Sequence, residues 1–569
     1  MSVSWSHQEV MGGDDPVAGE VAQDWVTRVA NDVVTTAQQR GSETLITCAS
    51  GISPSGPIHL GNLREIMVPH LVYDEILRRG IPTRHILSWD DYDRLRKVPA
   101  GLPESFAQHI GRPLTAIPDP CGEHQNWAEH YKEPFRASLA ELRVDVAEIS
   151  QTEMYTSGRY YNQIVTAMRR RADIYAILAR YRTKRTDDDT EDHPNADGAY
   201  YPFRPYCSAC GRDTTTVTMF DDETTEISYL CDCGAAEGPR PIAHVAGKLV
   251  WKVDWPMRWA YEKVTFEAAG VDHSTPGSSF TVGSELVREV FGAEPPHYLR
   301  YSFVGTSGSA KISGSAGGAP TPGDALRIFE TPVLRWLYAR RRPSQAITLA
   351  FDHEVSRIYD EWDGLSRRVA DGQATPVDAM TYSRATTVAH ASLPLTPRPL
   401  PFRTLASIVD ITAGDDQQLH RILQDLTVHD PISELSETQP RLDRARAWVT
   451  HYIEPQHRTR PRTEPDTALL LSLGESDRHA LKLLLEGLAE NWSLDGLTTL
   501  LYGVPKTQLG LPADTAPTPE LKAAQRTWFI LLYRLLIDSD TGPRLPTLLL
   551  ALGIDRVRRL LTPPGGSRR

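Results

Sequence analysis

The feature that most constrains the fold of this sequence is an apolar run, a loop of small residues and a helix-compatible segment that follow one another directly. Residues 44–50, TLITCAS, are rich in β-branched side chains and are typical of a buried strand. Residues 63–80 then have helical spacing, and residues 83–89, TRHILSW, are again typical of a strand. Strand, helix and strand in this order form the parallel-sheet unit of doubly wound α/β folds. The sequence therefore predicts such a domain.

Length and composition indicate how many domains to expect and of which class. The chain has 569 residues, which corresponds to about three to four domains of ordinary size. Hydrophobic residues at 40% and charged residues at 24% are ordinary for a globular protein, and no apolar run approaches the roughly 20 residues of a membrane-spanning helix. The acidic N-terminal segment lacks the basic start and the apolar block of a secretory signal. We therefore expect a multidomain cytoplasmic protein with no membrane partner.

The loop between the first predicted strand and helix, residues 49–62, has the sequence ASGISPSGPIHLGN. A helix N-terminus at the carboxyl end of a parallel strand offers free N–H groups to a phosphate, and glycines let the backbone approach it closely. The loop has neither a Walker motif nor a Gly-x-Gly-x-x-Gly pattern. Instead His59 stands at the helix start, where it either donates a hydrogen bond to a phosphate oxygen or serves as a cap or packing residue.

A second stretch of small residues surrounds a single lysine. Residues 305–318 read GTSGSAKISGSAGG, with Lys311 at the centre. Such a loop can close over a triphosphate, with the ammonium neutralising phosphate charge and the serine hydroxyls acting as donors. The alternative is an ordinary surface loop of the same composition.

Four of the six cysteines form two close pairs. The pairs CSAC and CDC supply Cys207, Cys210, Cys231 and Cys233, and the gap between them has the size of a strand, a turn and a strand. Two such pairs suit tetrahedral zinc, and four protein ligands leave no open position for catalysis. We therefore predict a structural zinc ion in preference to four unrelated thiols. Cys48 and Cys121 are interpreted as ordinary thiols.

The net charge of −12 means that a nucleic acid could be bound only by a local basic surface. Basic runs occur at 169–174 and at 335–345. Each run is interpreted either as a contact to phosphates or as a solvated face of a helix.

The two loops together resemble a known pair of signatures. PSGPIHLGN in the first half of the α/β region and KISGS about 250 residues later resemble the paired signatures of class I aminoacyl-tRNA synthetases. The resemblance extends to the class I, archaeal type of lysyl-tRNA synthetase and runs along nearly the whole chain. Further motifs that carry it are SWDDYDRLRKVP, GKLVWKVDWPMRWA, GVDHSTPGSS and GPRLPTLLLALG.

This resemblance implies a two-step reaction and its partners. ATP with Mg²⁺ and L-lysine form lysyl-adenylate and pyrophosphate, and the lysyl group then passes to the terminal ribose of tRNA(Lys). No protein nucleophile is needed because the amino-acid carboxylate attacks, so catalysis consists of positioning and charge stabilisation. A monomer that also contains structural Zn²⁺ is expected.

The resemblance also implies site residues, motif by motif. The catalytic residues would be His59, Asn62, Lys311, Ser313 and Ser315. The further ATP-binding residues would be Gly56, Gly61, Gly270 and Asp272. The lysine-binding residues would be Gly51, Ser53, Asp91, Trp255, His273 and Tyr301.

A cluster of acids after the second predicted strand bears on the amino acid that is bound. A buried ammonium requires carboxylates, aromatic faces or both. Asp90, Asp91 and Asp93 therefore favour a cationic side chain. Any one of them can instead cap a helix or pair with Arg94 or Arg96.

The predicted organisation follows from these motifs and from two changes of pattern. Residues 183–199 are polar and acidic, and from about residue 325 the apolar spacing is helical nearly throughout. The predicted segments are an N-terminal extension and helix (1–40), the first half of a Rossmann-like catalytic domain (41–182), an acidic linker with a zinc-binding insertion (183–245), the second half of the catalytic domain (246–325) and a helical stem-contact and anticodon-binding region (326–569).

One position departs from the family pattern. The second signature is commonly followed by another lysine, whereas this chain has Ala316 there. The departure motivates an alternative, namely a paralogue that activates a lysine-like amino acid or serves a specialised acceptor. A non-catalytic RNA-binding protein is a further alternative, and the presence of His59, Asn62 and Lys311 argues against it.

Overall fold

The computed structural model describes residues 23–41, 45–181, 198–274, 278–305, 319–427, 430–454 and 458–562. Several sequence predictions lie outside these residues. They concern the N-terminal extension before the first helix, the acidic segment up to residue 197, and the loop with Lys311, Ser313, Ser315 and Ala316.

Strands and helices alternate in the first part of the chain, and helices predominate afterwards. The strands of the described residues are β1 (Ile46–Ile52), β2 (Thr83–Trp89), β3 (Ala147–Ser150), β4 (Phe203–Pro205), β5 (Thr215–Phe220), β6 (Glu226–Cys231), β7 (Ala236–Pro241), β8 (Gly247–Leu249), β9 (Phe266–Gly270), β10 (His297–Tyr301), β11 (Val304–Gly305), β12 (Ile347–Thr348), β13 (Thr387–Val388) and β14 (Ala391–Ser392). The α-helices are α1 (Trp25–Gln39), α2 (Leu60–Arg78), α3 (Trp127–Glu141), α4 (Gln151–Thr156), α5 (Tyr161–Arg169), α6 (Arg171–Arg180), α7 (Trp251–Glu262), α8 (Ser279–Glu289), α9 (Pro322–Ile328), α10 (Thr331–Ala339), α11 (Glu354–Ala370), α12 (Pro376–Thr386), α13 (Phe402–Thr412), α14 (Asp416–Leu426), α15 (Arg441–Tyr452), α16 (Thr467–Ser472), α17 (Glu475–Gly487), α18 (Leu494–Gln508), α19 (Pro519–Ile537), α20 (Leu545–Leu552) and α21 (Ile554–Leu561).

The central sheet has five parallel strands in the order β10–β9–β1–β2–β3. The chain moves from β1 to one side through β2 and β3 and returns on the other side as β9 and β10, so the strand order reverses between β1 and β9. In open α/β sheets, ligands bind beyond the carboxyl ends of the strands at such a point. The predicted doubly wound α/β fold is confirmed.

The first elements form where the sequence pattern predicts them. The side chain of Asp24 caps α1 by accepting a hydrogen bond from the N–H of Thr27 at 2.9 Å. β1 is buried along nearly its whole length, as expected for a strand that is covered on both faces. β2 occupies the predicted residues 83–89.

An insertion between α6 and α7 carries the four clustered cysteines. It contains the antiparallel sheet β5–β6–β7 and the pair β4–β8. Cys207 and Cys210 precede β5, Cys231 ends β6, and Cys233 lies in the turn to β7. The gap predicted between the cysteine pairs is therefore filled by strands, as expected.

The chain divides into two compact units. The first comprises the described residues up to Ala325 with Thr331–Leu349 and Leu365–Leu393, and the second comprises Leu326–Glu330, Ala350–Gly364 and the described residues from Pro394 onward. The second unit has helices α13 to α21 and no strand among its described residues, which confirms the helical prediction. Within the part of the chain that the structure describes, no helix has the length and apolarity needed to cross a membrane.

Candidate functional site

A pocket opens at the carboxyl ends of β1, β2 and β9. Its volume is about 210 Å³, and residues of α2 and α7 complete its wall. The pocket lies where the strand order reverses, which is the expected ligand position in such a sheet. Its volume is below the roughly 300 Å³ at which pockets for drug-sized molecules begin, so it suits a smaller ligand.

The loop after β1 ends in a capping box at the start of α2. His59 is the N-cap residue, and its Nδ1 accepts a hydrogen bond from the N–H of Gly61 at 3.1 Å. The Oδ1 of Asn62 in turn accepts a hydrogen bond from the N–H of His59 at 3.1 Å. A neutral imidazole that accepts at Nδ1 carries its proton at Nε2. His59 can therefore cap the helix and donate from Nε2 at the same time, so that the two roles weighed for it are compatible.

Gly61 is required by the position of the His59 ring. A Cβ atom at residue 61 would lie 2.8 Å from Cε1 of His59. Contacts of this length do not occur between a Cβ and a ring atom, so any side chain at residue 61 would displace the imidazole. The glycine of this motif thus holds the histidine in place.

Aromatic rings of α7 form one wall of the pocket. Trp251 and Trp255 are stacked with ring centroids 5.3 Å apart, and Trp255 lies 4.8 Å from Trp259. His273 packs edge-on against Trp255 at 5.7 Å. Such a wall offers π-faces to a cation and apolar contact to a methylene chain.

Two carboxylates in the pocket wall are held by neutral donors. Glu267 accepts hydrogen bonds from the indole N–H groups of Trp255, at 2.9 Å, and of Trp259. The N–H of Gly51 donates to the carboxylate of Glu65. Burial raises the pKa of Glu267 to about 7. Burial, reinforced by the charges of Glu267 and Asp90, raises the pKa of Glu65 well above its usual range.

Arg258 is the counter-charge for two other acids at this site. It donates to Asp90 at 2.6 Å and also binds Asp254, which accepts the hydroxyl of Tyr155. Burial raises the pKa of Asp90, an effect that Arg258 opposes. The negative charge of Asp90 is thereby balanced by the positive charge of Arg258.

Some of the residues predicted to bind the amino acid come together in the pocket, and others lie outside it. Gly51, Trp255 and His273 line the pocket. Ser53 lies in the exposed part of the loop after β1, and Tyr301, at the end of β10, is buried with its ring 5.7 Å from the guanidinium of Arg64. Neither residue belongs to the pocket wall.

Asp91 lies outside the pocket and has partners of its own. Its carboxylate binds the Nζ of Lys132 at 2.6 Å and accepts hydrogen bonds from the Ser150 hydroxyl at 2.7 Å and from the N–H of Thr152 at 2.8 Å. These bonds join the end of β2 to α3 and to the start of α4. Asp90 is the acid of this cluster that reaches the pocket.

The predicted nucleotide ligands surround the carboxyl ends of β1 and β9. Gly56 and Gly61 lie on either side of His59, at the loop and the first turn of α2. Gly270 ends β9, and Asp272 follows it in an exposed turn.

The two basic runs have structural partners. Arg335 is 0% exposed and donates to the carbonyls of Leu142, at 2.8 Å, and of Arg384. Arg171 pairs with Asp222 at 2.7 Å. The interpretation as a phosphate contact is wrong for Arg335, because its guanidinium is inaccessible.

The four clustered thiols fit a zinc ion. The Sγ atoms of Cys207 and Cys233 are 3.7 Å apart, as are those of Cys210 and Cys231, and all four lie within 4.8 Å of one another. A tetrahedron with Zn–S bonds of about 2.3 Å has edges of about 3.8 Å. The observed separations match these edges and are too long for disulfides.

A second group of potential metal ligands lies in the loop before α3 and in the first turn of that helix. Asp119, Cys121, His124 and His130 offer ligand atoms that all lie within 4.8 Å of one another. Cys121 Sγ is 3.3 Å from His124 Nδ1 and 3.4 Å from His130 Nδ1. These are also the edge lengths of a small coordination tetrahedron. The interpretation of Cys121 as an ordinary thiol misses this arrangement.

The sequence contains signals for the features that were missed. Asp119, Cys121 and His124 stand within six residues, and His130 follows six residues after His124. Glu267 is the charged residue of the buried strand FEAAG, and Glu65 follows the first signature on α2. A charge inside a buried strand indicates either a partner or a ligand.

Comparisons with known proteins identify the family of this chain. Residues 23–391 match the sequence model of a family described as tRNA synthetases class I (K). The lysine–tRNA ligase of Streptomyces coelicolor is 55% identical over 568 residues, which cover 95% of this chain and 98% of that protein. The lysine–tRNA ligase of Thermococcus kodakarensis is 32% identical over 548 residues, which cover 94% of this chain and 99% of that protein. A solved glutamate–tRNA ligase from Elizabethkingia meningosepticum covers 91% of this chain and 98% of its own, at 12% identity and a TM-score of 0.41.

Proposed function

This chain belongs to the class I tRNA synthetases of the lysine type, and from this membership we propose the reaction and the residues that carry it. The carboxylate of L-lysine attacks the α-phosphorus of MgATP, pyrophosphate leaves, and lysyl-adenylate forms. A terminal ribose hydroxyl of tRNA(Lys), initially the 2′-hydroxyl, then attacks the lysyl carbonyl and AMP leaves. The observation that carries the proposal is the amino-acid-sized pocket beside the His59–Asn62 capping box.

The ATP side of the reaction uses the loop after β1 and the end of β9. His59 donates from Nε2 to phosphate oxygens, and Asn62 fixes its backbone. Gly56, Gly61, Gly270 and Asp272 bound the nucleotide. Lys311, Ser313 and Ser315, outside the described residues, are proposed to contribute the remaining phosphate donors.

The amino-acid side uses the pocket. Gly51, Trp255 and His273 are supported as lysine contacts by their place in its wall. Ser53 and Tyr301 would reach the bound substrate from the neighbouring loop and strand end. Asp91 is proposed to act through its bonds to α3 and α4, which fix the end of β2.

Zinc ions are proposed for both ligand clusters. Cys207, Cys210, Cys231 and Cys233 would fix the insertion, while the cluster of Asp119, Cys121, His124 and His130 would fix the start of α3. In both clusters the protein supplies four ligands, so the metals would stabilise the fold and would take no part in the reaction.

The remaining proposals concern the whole enzyme. The helical second unit is proposed to bind the anticodon, where unpaired bases are usually read by stacking and by hydrogen bonds to their edges. We place the enzyme in the cytoplasm, as a monomer.

The alternative, a specialised paralogue, is favoured by Ala316 alone.

Lysine-dependent ATP–pyrophosphate exchange tests the proposal. The purified protein is assayed with each standard amino acid in parallel, and an Ala316→Lys variant is assayed beside it. Exchange with lysine, followed by charging of tRNA(Lys), is the expected result. Exchange in which lysine is the poorest substrate, or none in the wild type with recovery in Ala316→Lys, would support the paralogue instead.

A further inference from the structure

A second cavity lies where the loop after β2 meets the insertion that carries the clustered cysteines. Its volume is about 40 Å³, which exceeds the roughly 10–15 Å³ that one water molecule needs, so it admits a small polyatomic group. The charged side chains that line it are Arg94, Arg96, Arg204, Lys248, Asp93 and Asp213. With four cations and two anions, the lining has an excess of positive charge, although the net charge of the whole chain is −12.

The fold holds the walls of this cavity together. The backbone N–H of Asp213 donates to the carbonyl of Gly111 at 2.9 Å, and Nη2 of Arg212 donates to the carbonyl of Gln108 at 3.0 Å. Arg94, in the loop after β2, also pairs with Asp213 of the insertion at 3.2 Å. The cationic side chains therefore belong to segments that are already bound to each other, which reduces the ordering that a ligand must cause.

Lys248 stays charged in this cavity although its side chain is largely buried. Its ammonium binds Asp93 and lies 3.3 Å from the carboxylate of Asp254. Burial alone would lower the pKa of Lys248, but the charges of these two acids outweigh it and raise that pKa above its ordinary value. The arginine side chains of the lining are charged at any physiological pH. The excess of positive charge is therefore present at neutral pH.

The cavity adjoins the amino-acid pocket. Trp251, at the start of α7, lines both of them, so a single side chain separates the two. In the second step of the proposed reaction, the terminal ribose of the tRNA must reach the lysyl carbonyl in that pocket. The phosphate of the terminal nucleotide is joined to the same ribose, so it must lie within one sugar of the pocket. A cationic cavity on the other side of Trp251 is suitably placed for it.

We propose that this cavity binds a phosphate of the tRNA 3′ end, and that Arg96 and Arg204 are the side chains that contact it. Arg94 and Lys248 are held by the acids of the wall and contribute charge at longer range. Arg96 is exposed and Arg204 is half-buried, so both border the side from which a strand can enter. The planar guanidinium suits this role because it can donate two parallel hydrogen bonds to one phosphate.

This inference rests on the proposed function and adds a tRNA site that neither basic run of the sequence supplies. In those runs Arg335 is buried, and Arg171 is paired with Asp222 at 2.7 Å. Contacts to backbone phosphates fix the register of a nucleic-acid strand. A phosphate held in the cavity would therefore orient the terminal ribose toward the lysyl carbonyl.

The test measures the affinity of the full-length protein for tRNA(Lys) with its complete 3′ end and for the same tRNA without its last three nucleotides. Arg96→Gln and Arg204→Gln should each weaken binding of the complete tRNA about 10-fold, because each removes a charge-assisted hydrogen bond to phosphate. Both should leave the affinity for the shortened tRNA within about two-fold, since it no longer reaches the cavity. The slope of log Kd against log salt for the complete tRNA should decrease by about 0.7, the value for one neutralised phosphate of a single strand.

Two further variants distinguish a phosphate contact from a change of the fold. Arg204→Lys keeps the positive charge, so it should recover part of the affinity for the complete tRNA that Arg204→Gln loses. Arg240→Gln is the matched control, because Arg240 lies on β7 of the same insertion, outside the cavity, and pairs with Glu237 at 3.3 Å. This control should bind both tRNAs as the wild type does.

Equal weakening for the complete and the shortened tRNA, or an equal effect of Arg240→Gln, would overturn the inference. Unchanged affinity for both tRNAs in Arg96→Gln and Arg204→Gln would also overturn it. Calorimetric titration with inorganic phosphate and with pyrophosphate tests the other source of a phosphate group. Binding of either ion that is lost in Arg204→Gln, with unchanged tRNA affinities, would assign the cavity to that ion instead. A wild type without lysine-dependent exchange would refute the proposed function, whereas the affinities for the two tRNAs are measured without the reaction.

Discussion

At the scale of single residues, the contact between Gly61 and His59 predicts a sharp effect of one methyl group. Gly61→Ala would place a Cβ against the imidazole, 2.8 Å from its Cε1, and so displace the ring from its cap position. We expect kcat in pyrophosphate exchange to fall about 100-fold, the usual cost of misplacing a catalytic group by about 1 Å. The matched control is Gly503→Ala, since Gly503 lies inside α18 and a Cβ there meets nothing within 4 Å. Equal activities of the two variants would contradict the assignment of His59.

A buried ion pair predicts how stability depends on pH. Asp24 Oδ1 accepts a hydrogen bond from Nη2 of Arg384 at 3.0 Å, and both side chains are buried. Burial alone would raise the pKa of Asp24, but the bonds to Arg384 outweigh it and lower that pKa below its ordinary value. A lowered carboxyl pKa gives stability that is present above the unfolded pKa and is lost as the pH falls through the folded one.

Asp24→Asn isolates this charge because asparagine is an equally good N-cap residue. The variant should lose about 3 kcal/mol of unfolding free energy at pH 7, since it leaves Arg384 without one buried partner. The loss should shrink as the pH falls below about 4, because Asp24 is then protonated first in the unfolded chain and, at lower pH, in the folded protein. Thermal unfolding at several pH values measures this, with the exposed Asp32→Asn in the same helix as the control. A loss that does not vary with pH would count against the ion pair.

At the scale of elements, the two clusters of potential metal ligands predict the number of zinc ions that each chain binds. The wild type should contain about two zinc ions per chain, and Cys210→Ser and Cys121→Ser should each retain one, because each variant removes a ligand from a different cluster. Elemental analysis of the purified proteins measures the content. Cys48→Ala is the control, since Cys48 is buried in β1 outside both clusters, and it should keep both ions. Full zinc content in Cys210→Ser would refute the assignment of the cysteine cluster.

The elements that the sequence predicted best are those with a strong local pattern. α1 and β2 lie at the predicted residues because a capping side chain or flanking turn residues mark their ends. The start of α2 also agrees with the sequence prediction that His59 to Asn62 stand at the helix start, since α2 begins at Leu60 with His59 as its N-cap residue. The two-residue strands β11 to β14 have no local signal, since they form only where tertiary contacts bring short segments together.

At the scale of the whole molecule, the order of the strands in the sheet determines which residues line the pocket, and this order cannot be read from the sequence. Gly51, Trp255 and His273 could be named from motifs, and they line the pocket. Glu267 could not, because only the parallel pairing of β9 with β1 brings it next to Ala49 and thus to Glu65. Propensity and spacing do not determine which strands become neighbours, so contacts between distant strands remain invisible in a single sequence.

The charge of the whole chain predicts how the two reaction steps respond to salt. With a net charge of −12, overall attraction cannot bring tRNA to the protein, so local basic contacts must neutralise its phosphates. Even two neutralised phosphates should raise the KM for tRNA about 10-fold between about 50 and about 200 mM salt, since counterion release governs such binding. The KM for lysine should change less than about two-fold over the same range, because a single charge that is partly buried in a pocket is screened weakly by salt. Aminoacylation and pyrophosphate exchange on the same preparation measure both constants. Equal salt dependence of the two would mean either that the ammonium site is open to solvent or that tRNA is recognised without phosphate contacts.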